Sequence, residues 1–336
     1  MKYLISPNKK QYKANLHAHT VLSDGKKTPE ELKEMYKNEG YSVLSITDHE
    51  RPVSHQKLSD DDFIMITGYE AYIRSNKEGR YDIYESEVHL NLLSRDPENV
   101  KLIGYDEKYL RYLKRDDALN TVEAAEPICD RRLDTEYVNE FIKSANKNGY
   151  IVNYNHPYWS MLEEAKIFEI EGLCSLEISN ASSYMMNNLE YCGALYDRML
   201  SRGIRAFCHG SDDNHNANPL YSDSFGSFTM IMPESFEYGA IVDAVEKGAM
   251  YSSMGPTFTE VSIEGNKVHI ECSPVKHIAA FTGSKTPKRK HAPIDGFITS
   301  ADFELDDRAK FLRVSITDEC GKHADTRGFF RDELPF

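Results

Sequence analysis

The sequence lacks the cysteine pattern and the apolar runs that mark several classes of protein. Its six cysteines are scattered, with no Cys-x-x-Cys pair, which favours buried free thiols in a reducing compartment over a disulfide framework. Residues 1–10 contain no apolar segment typical of a secretory signal, and no window approaches the length of a membrane span. We therefore expect a cytoplasmic protein with no membrane partner.

The sequence has fewer positively charged residues than negatively charged ones. The 336 residues include 40 Lys and Arg against 54 Asp and Glu, which gives a net charge of −14 at pH 7. A surface for nucleic acid or for an anionic membrane needs clustered Lys and Arg. The one basic run, residues 285–290, contains Pro287 and is typical of a solvated loop. A nucleic-acid polymer is therefore not an expected partner, whereas a small anionic substrate is compatible, because bound divalent cations would reverse the charge locally.

Two histidines separated by one residue open the informative part of the chain. His17 and His19 end an alternation of apolar and polar residues that starts at Tyr12. Residues i and i+2 of a strand point to the same face, so both imidazoles can reach one ion. Asp24 follows on a turn with Gly25, close enough to fold back over the same spot, and this donor set suits Zn, Mn or Fe. Alone, however, His-x-His on a strand is more often an ordinary surface or core pattern.

Strand and helix patterns alternate from residue 12 to residue 253. A helix is predicted to begin after Thr28, with Pro29 at its first position and Glu31 completing a capping box, and to end at Gly40. With the strand predicted over 41–46, this makes a βαβ unit with parallel strands. Further strands are predicted over 63–67, 87–93, 150–154, 172–178, 204–208, 227–232 and 250–253, and further helices over 136–148, 184–201 and 236–246.

The number of strands favours a barrel-like closure of about seven strands over an open sheet. Polar residues recur where these strands end, and α/β barrels place their active sites at the carboxyl ends of the strands. Residues 95–130 are polar and are interpreted as a long insertion with one or two short helices. The predicted fold class is therefore α/β, a distorted TIM-like barrel.

After Gly255-Pro256 the helix signals mostly disappear. Short alternating segments over 258–263, 267–272, 277–281 and 313–316 predict a small all-β domain over 256–336, which leaves 1–255 as the barrel domain. Four histidines of this part are interpreted as ordinary surface or strand residues: His269, His277, His291 and His323.

The candidate metal ligands stand at or near the ends of the predicted strands: His17, His19, Asp24, His49, Glu70, His89, His156, Asp213 and His215. Asp213 and His215 repeat the spacing of the first motif, and Asp212 and His209 are competing or supporting candidates. Glu70 is central to the set, because a carboxylate can bridge two cations and offset their repulsion.

The sequence resembles the PHP (polymerase and histidinol phosphatase) superfamily. Six motifs carry the resemblance in family order over roughly residues 12–254: His17-Ala18-His19 with Ser23-Asp24-Gly25, Thr47-Asp48-His49, Gly68-Tyr69-Glu70, Val88-His89-Leu90-Asn91, Asn155-His156-Pro157 and Gly210-Ser211-Asp212-Asp213-Asn214-His215. The segment Ala244–Pro256 also resembles the branch of stand-alone metal-dependent phosphoesterases that carry a β-rich C-terminal extension.

The resemblance implies a distorted (βα)7 barrel that binds two or three Mn, Fe or Zn ions. By motif, the first ion would be held by His17, His19, Glu70 and Asp213, the second by Glu70, His89 and His156, and the third by Asp24, His49 and His215. Asp24 stands where some relatives have histidine. The last motif is one residue longer than the usual Gly-Ser-Asp-x-His, so the motif does not separate Asp212 from Asp213, and the spacing to His215 favours Asp213.

The activity implied is that of a metal-dependent phosphoesterase. It would hydrolyse a small-molecule phosphate ester, a monoester in particular, by attack of a metal-bridging hydroxide, with Glu70, His49 and His215 in catalytic roles. Arg51, Arg205 and His55 are candidates for contact with the phosphorylated substrate. Two alternatives stay open: an amidohydrolase or lactonase on the same barrel, and a non-catalytic binding module stabilised by metal. The sequence does not predict the oligomeric state.

Overall fold

Strands and helices make up the described part of the chain, which in this computed structural model comprises residues 1–74, 81–112, 123–125, 130–189 and 191–336. The strands are β1 (Lys2–Ile5), β2 (Tyr12–Asn15), β3 (Val43–Ile46), β4 (Ile64–Arg74), β5 (Glu87–Ser94), β6 (Lys101–Leu102), β7 (Glu123–Ala124), β8 (Tyr150–Tyr154), β9 (Ser175–Asn180), β10 (Phe207–Ser211), β11 (Phe228–Ile231), β12 (Met250–Ser253), β13 (Phe258–Glu264), β14 (Lys267–Val275), β15 (His277–Phe281), β16 (Lys288–His291), β17 (Ile298–Glu304), β18 (Phe311–Thr317), β19 (His323–Thr326) and β20 (Phe329–Phe330). The α-helices are α1 (Pro29–Asn38), α2 (Thr135–Lys147), α3 (Glu164–Ile167), α4 (Ala181–Asn187), α5 (Gly193–Ser201) and α6 (Tyr238–Glu246).

The βαβ unit predicted at the start of the chain is present, and its two strands, β2 and β3, are parallel. The capping box of α1 forms as expected: the Thr28 hydroxyl accepts the N–H of Glu31, and the Glu31 carboxylate accepts the N–H of Thr28. Leu32 and Tyr36 are fully buried, so the apolar face of α1 fixes the helix against the sheet.

Several elements differ from the sequence prediction. Strand β4 continues to Arg74, because residues 68–74 pair with β5 along their whole length. The helix predicted over 184–201 is two helices, interrupted at Asn188 with φ 53°. Strand β10 begins later than expected and therefore contains His209. The basic run predicted as a loop ends in strand β16.

Much of the predicted insertion, with Cys129, lies outside the described residues, and its described part holds β6, β7 and the 3₁₀ turn Glu107–Tyr109.

A large sheet organises the first 250 residues. Seven of its strands follow in the order β10-β9-β8-β5-β4-β3-β2, and the path continues through β11, β12, β19, β18 and β15 to β16. Just beyond β2 and β10, the Asp213 N–H donates to the His17 carbonyl (2.9 Å) and the His19 N–H to the Asn214 carbonyl (3.0 Å). The protein is thus a mixed α/β fold with a large β-rich sheet, and closure into a (βα)7 barrel stays a prediction.

The direction of β5 explains how a histidine inside a strand reaches the same edge as residues that follow other strands. β5 is antiparallel to both of its neighbours, β4 and β8. His89 lies near the start of β5, and in an antiparallel strand the start lies where the neighbouring strands end. His89 and His156, which follows β8, are therefore brought together.

The C-terminal part is built of strands, as expected. β1 pairs with β13 in a separate four-stranded sheet with β14 and β17, while β12 pairs with β19 in the large sheet. Backbone pairing therefore crosses residue 255 twice, and the division at 255/256 stays a prediction. Within the described ranges no helix is long and apolar enough to cross a membrane.

A buried ion pair joins the loop after β3 to the segment before α2. Arg131 Nη1 lies 2.5 Å from Glu50 Oε1, Nη2 lies 2.7 Å from Oε2, and both side chains are 1% exposed. The guanidinium also donates to the carbonyl oxygens of Tyr72, Ile103 and Gly104 at 2.6, 3.3 and 3.1 Å. One arginine thus ties the residue next to His49, strand β4 and the predicted insertion together.

We expect Arg131→Met to destabilise the protein strongly. The substitution leaves Glu50 buried without its counter-charge, a change that typically costs about 3–5 kcal/mol. The matched control is Arg132→Met, which removes the same charge from an exposed side chain paired with Asp134. Chemical unfolding of both variants measures the difference, and equal unfolding midpoints would contradict a structural role for the Glu50–Arg131 pair.

Candidate metal centre

All nine predicted metal ligands come together in one place. Seven of them line a cavity of about 260 Å³: Asp24, His49, Glu70, His89, His156, Asp213 and His215. The other two, His17 and His19, are fully buried and contact the same carboxylates. The structure therefore supports the sequence hypothesis of a single site, while the role of each residue as a ligand stays a prediction.

Glu70 stands at the centre of the set. Its carboxylate is 1% exposed and has five imidazoles within 3.5 Å. The nitrogen–oxygen distances are 2.9 Å to His49 Nδ1, 3.0 Å to His89 Nδ1, 3.3 Å to His17 Nε2, 3.4 Å to His156 Nε2 and 3.5 Å to His19 Nε2. Both oxygens of the carboxylate are used, as a bridge between two cations requires.

Asp213 contacts two of these histidines through one carboxylate oxygen. Its Oδ1 lies 3.1 Å from His17 Nε2 and 3.0 Å from His19 Nε2, and these two nitrogens are 3.2 Å apart. His17, His19 and Asp213 can each direct one atom to a common point. The two histidines, which follow β2, thus share a carboxylate from a loop almost 200 residues away.

Asp24 lies close to a third group of histidines. Its Oδ1 lies 3.5 Å from His215 Nε2, and its Oδ2 lies 3.6 Å from His49 Nε2. His19 Nδ1 is 3.9 Å from Asp24 Oδ1 and completes a set of four residues that could hold an ion. The third predicted ligand set is therefore assembled, with His19 added to it.

Asp48 holds the turn that brings Asp24 to the site. Its carboxylate accepts the N–H of Thr20 at 2.8 Å and the hydroxyls of Thr20 and Ser23, both at 2.6 Å. A Cβ on Gly25 would lie 2.3 Å from the His19 carbonyl oxygen, so the turn passes too close to the backbone for any other residue. Local hydrogen bonding and one glycine thus place Asp24 over His19.

The two candidate aspartates point in different directions. Asp212 is fully buried away from the histidines and accepts the Tyr36 hydroxyl at 2.7 Å and the N–H groups of Phe225, Gly226 and Ser227 at 2.7–3.0 Å. Asp213 faces the histidines. The strand geometry expected here is absent, because β10 ends at Ser211 and Asp213 has φ 52°.

A residue that sequence reasoning missed orients one of the histidines. Glu177, fully buried on β9, lies 3.1 Å from His17 Nδ1 and accepts the N–H of His156 at 2.9 Å and the Asn180 amide at 2.9 Å. An Nδ1–H donated to Glu177 leaves the lone pair of His17 Nε2 directed at the centre. The available signal was a carboxylate between two apolar residues, Leu176 and Ile178, of a buried strand.

The charges at the centre stabilise one another. Burial would raise the pKa of Glu70, but His17, His89 and His49 outweigh it and hold the pKa well below its usual value. Burial would likewise lower the pKa of His17, but Asp213 and Glu70 raise it well above its usual value. Each group is thus charged because of the others, and removing one carboxylate would leave several imidazoles without a counter-charge.

Two buried atoms test whether the residues fit a cation. His49 Nδ1 and Glu70 Oε2 have no hydrogen-bond partner among the described residues, whereas His89 Nε2 lies 3.2 Å from Glu87 Oε2. His49 Nδ1 and Glu70 Oε2 lie 2.9 Å apart without the alignment of a hydrogen bond. Buried polar atoms are nearly always satisfied, and imidazole nitrogens and carboxylate oxygens are donors for Zn, Mn and Fe. The residues therefore fit divalent cations.

The predicted substrate residues lie outside the cavity lining. Arg205 pairs with Asp332 at 2.8 Å on the surface, and Arg51 donates to the Leu22 carbonyl at 3.2 Å. His55 precedes the 3₁₀ turn Gln56–Leu58. Their substrate roles stay predictions. The described residues that line the mouth include five that the sequence did not indicate: Arg74, Tyr81, Arg111, Tyr112 and Trp159.

Tyr112 links the mouth to the centre. Its hydroxyl donates to Asp24 Oδ2 at 2.9 Å, and its ring stacks on the imidazole of His49 with centroids 5.5 Å apart. Trp159 packs against His89 and His156 with centroid distances of 5.2 and 4.8 Å. Tyr112 comes from a segment far from any motif of the sequence, whereas Trp159 lies only three residues after His156.

Fold and site together define a mixed α/β protein with a histidine–carboxylate centre suited to divalent cations. No protein-family model and no curated protein matches the chain.

Solved structures that are similar to this chain include the following three. A two-domain protein from Bacteroides vulgatus, described as containing a predicted PHP-like metal-dependent phosphoesterase, is 13% identical, with 98% of this chain and 89% of that chain aligned and a TM-score of 0.45. A suggested metal-dependent phosphoesterase from Bifidobacterium adolescentis is 17% identical over 61% and 89%, with a TM-score of 0.38. An amidohydrolase from Chromobacterium violaceum, with bound sulfate and no metal, is 13% identical over 60% and 87%, with a TM-score of 0.39.

The superfamily named for the Bacteroides vulgatus structure is the one that the six sequence motifs resemble. Because all three TM-scores lie below 0.5, the function proposed below is derived from the residues of the site and not from these neighbours.

Asp213→Asn should cost most of the metal affinity, because the amide loses the charge that offsets a cation held with His17 and His19. Asp212→Asn should cost less, within the 10- to 100-fold typical of residues behind the ligands. Titration of Mn²⁺ into folded samples of each variant gives the ranking. The reverse ranking would reassign the ligand to Asp212.

Cation binding should strengthen as the pH rises. Burial opposes a charge on His89, but Glu70 and Glu87 outweigh it and raise the pKa of His89 to about 10. A ligating imidazole must be neutral, so a cation has to displace a proton that His89 holds at every pH below that pKa. Calorimetric titration of Mn²⁺ in two buffers of different ionisation enthalpy should detect proton release near pH 7 and less release in His89→Gln. An affinity that is constant between about pH 6 and 9 would contradict this.

Proposed function

We propose that the protein is a metal-dependent hydrolase that cleaves phosphate esters of small molecules, monoesters in particular. The observation that carries the proposal is the contact of one buried carboxylate, Glu70, with five imidazoles beside a cavity of about 260 Å³. Such a carboxylate can bridge two cations, and the adjoining cavity provides room for a substrate.

We assign the donor groups to three cation positions. The first would be held by His17, His19, Glu70 and Asp213, the second by Glu70, His89 and His156, and the third by Asp24, His49 and His215. The atoms that can meet at one point group differently around Glu70, because one set joins it to His17 and His156 and another to His49 and His89. Bound cations would lower the pKa of a coordinated water toward roughly 7 and offset the charge of a phosphoryl group. We interpret the linkage between β2 and β10 as closure of a distorted (βα)7 barrel with this centre at its mouth.

Two guanidinium groups on the cavity wall favour a phosphate over an uncharged bond. Arg74 and Arg111 both line the cavity. Arg74 is held by an ion pair with Glu87 and stacks on Tyr72, with its guanidinium carbon 3.9 Å from the ring centroid. Guanidinium groups suit the oxygens of a phosphate, whereas an amide or a lactone has no charge to bind. This favours the phosphoesterase over the amidohydrolase or lactonase alternative.

His215 is placed to supply a proton. Its Nδ1 lies 2.9 Å from the carbonyl oxygen of Asp213, so Nδ1–H donates there, and Nε2 faces Asp24 at the cavity. A protonated His215 can give the Nε2 proton to the leaving oxygen of the ester. The same nitrogen cannot also ligate the third cation, so a filled third site would transfer this task to another group or to water.

The test is release of inorganic phosphate from a panel of phosphorylated metabolites with added Mn²⁺. Glu70→Gln and His17→Ala should each lower turnover by more than about 100-fold and reduce the bound metal, because each removes a ligand and not merely a supporting residue. His269→Ala is the control: His269 lies on β14, paired with Asp302 at 2.7 Å, and neither turnover nor metal content should change.

Two results would contradict the proposal. Turnover of amides or lactones, lost in the same two variants, with no phosphate released from any ester, would make the protein an amidohydrolase or lactonase. Full turnover in Glu70→Gln would mean that the centre described above is not the active site.

A further inference from the structure

A second cavity, of about 420 Å³, lies where helix α5 meets the sheet of the C-terminal part. One wall is the start of α5 with Tyr191 before it. The other is the face of β15, β16, β18 and β19 that points away from the C-terminal hydrophobic core, since the alternate residues Ile278, Val314 and Ile316 are buried in that core. The cavity contains none of the metal-centre residues.

A row of polar side chains crosses four strands at the wall of this cavity. His277 is the cross-strand partner of His291 on one side and of Thr317 on the other, and Thr317 is the partner of His323. Side chains opposite one another on adjacent strands are within contact distance. The Nδ1 atoms of His277 and His291 are 2.7 Å apart, and Thr317 Oγ1 lies 3.2 Å from His323 Nδ1. Pairing of strands, not sequence spacing, thus collects three histidines.

The neighbouring row provides room and a positive charge. Ala279 pairs with Arg289 and with Ser315, and the two small residues leave space between the strands and α5. Arg289 lines the cavity and has no ion pair with any residue in the described ranges. A guanidinium without an ion pair, beside histidines and hydroxyls, offers several hydrogen-bond donors to an anion.

The acidic groups near the cavity are already engaged. Arg313 is buried and is held by Asp197 through two bonds of 2.7 and 2.8 Å and by Asp325 through a short third bond. The Tyr191 hydroxyl also donates to Asp325 at 3.2 Å. Both carboxylates therefore accept hydrogen bonds from Arg313, and Arg289 is the lining guanidinium that has no ion pair among the described residues.

We propose that this cavity binds a small oxyanion, a phosphate or a carboxylate, through Arg289, the His277–His291 pair and the hydroxyls of Ser315 and Thr317. If one imidazole donates Nδ1–H to the Nδ1 of the other, the second carries its proton on Nε2. A neutral pair thus has one N–H for the ligand, to which Arg289 adds charge-assisted bonds. The proposal is independent of the phosphoesterase activity.

A metal cation fits this cavity poorly. Two adjacent imidazoles can ligate a metal, but the nearby carboxylates that could complete the ligand set are both paired with Arg313. Partial burial and the neighbouring His291, Arg289 and Lys276 lower the pKa of His277. Of these causes, the charges of Arg289 and Lys276 also disfavour a cation and favour an anion.

The experiment measures binding at this cavity from the NMR signals of the His277 and His291 rings, in full-length protein labelled with ¹⁵N-histidine. The signals are assigned with His277→Gln and His291→Gln. Inorganic phosphate and acetate are titrated separately, so that the two sources of oxyanion are compared. We expect saturable shifts of these signals with at least one of the two anions.

Two variants on β16 test the donor. In Arg289→Gln the midpoint of the titration should rise by about tenfold, as expected for loss of a charge-assisted bond. Lys288→Gln removes the same charge one residue away, outside the cavity lining, and should change the midpoint by less than about twofold. Equal effects in the two variants, or no saturable shift with either anion, would overturn the proposal. A stoichiometric Zn²⁺ equivalent that is lost in His277→Gln would replace it with a metal site.

Discussion

The constraint on which the site depends is the placement of a carboxylate, Glu70, in full burial among five imidazoles. A buried carboxylate is unfavourable unless opposite charges or hydrogen bonds compensate it, and each imidazole around it has the converse requirement. The strands must therefore converge closely enough for all of these groups to meet. Residues behind these groups also compensate the buried charges. The Asn155 amide donates to Glu70 Oε1 at 2.7 Å, and Glu177 lies within hydrogen-bond distance of His17.

The insertion after β5 is connected to this centre by a second buried charge pair. Glu50 follows His49 directly and adopts φ 51°, and its carboxylate is bound by Arg131, which also holds the carbonyl oxygens of Ile103 and Gly104. Eight residues after Gly104, Tyr112 stacks on His49 and bonds to Asp24. The part of the chain that shapes the mouth is thus anchored to the loop that carries a candidate ligand, so the mouth and the candidate metal centre share a structural support.

The sequence predicted the parts of the site that depend on local order. His17 and His19 were found from strand periodicity, and the other candidates from their place near the ends of predicted strands. It did not predict the features that depend on contacts between distant segments. These are the direction of β5, the role of Glu177 and the contribution of Arg111, which depend on which strands are neighbours. Asp213 was preferred because of a regular strand, but the chain turns into the left-handed region there, and the hydrogen bonds of Asp212 to residues 225–227 explain the orientation.

The environments of the histidines in this chain differ mainly in the carboxylates that lie near them. His89 lies beside Glu70 and Glu87, which outweigh burial and raise its pKa to about 10. His209 is equally buried, but the Ser175 hydroxyl is its hydrogen-bond partner, and burial lowers its pKa to about 4. His277 lies among positive groups, since the acids nearby are bound to Arg313. Histidine count alone would treat the three alike, whereas the position of the carboxylates separates the proposed cation centre, the interior of the sheet and the proposed anion cavity.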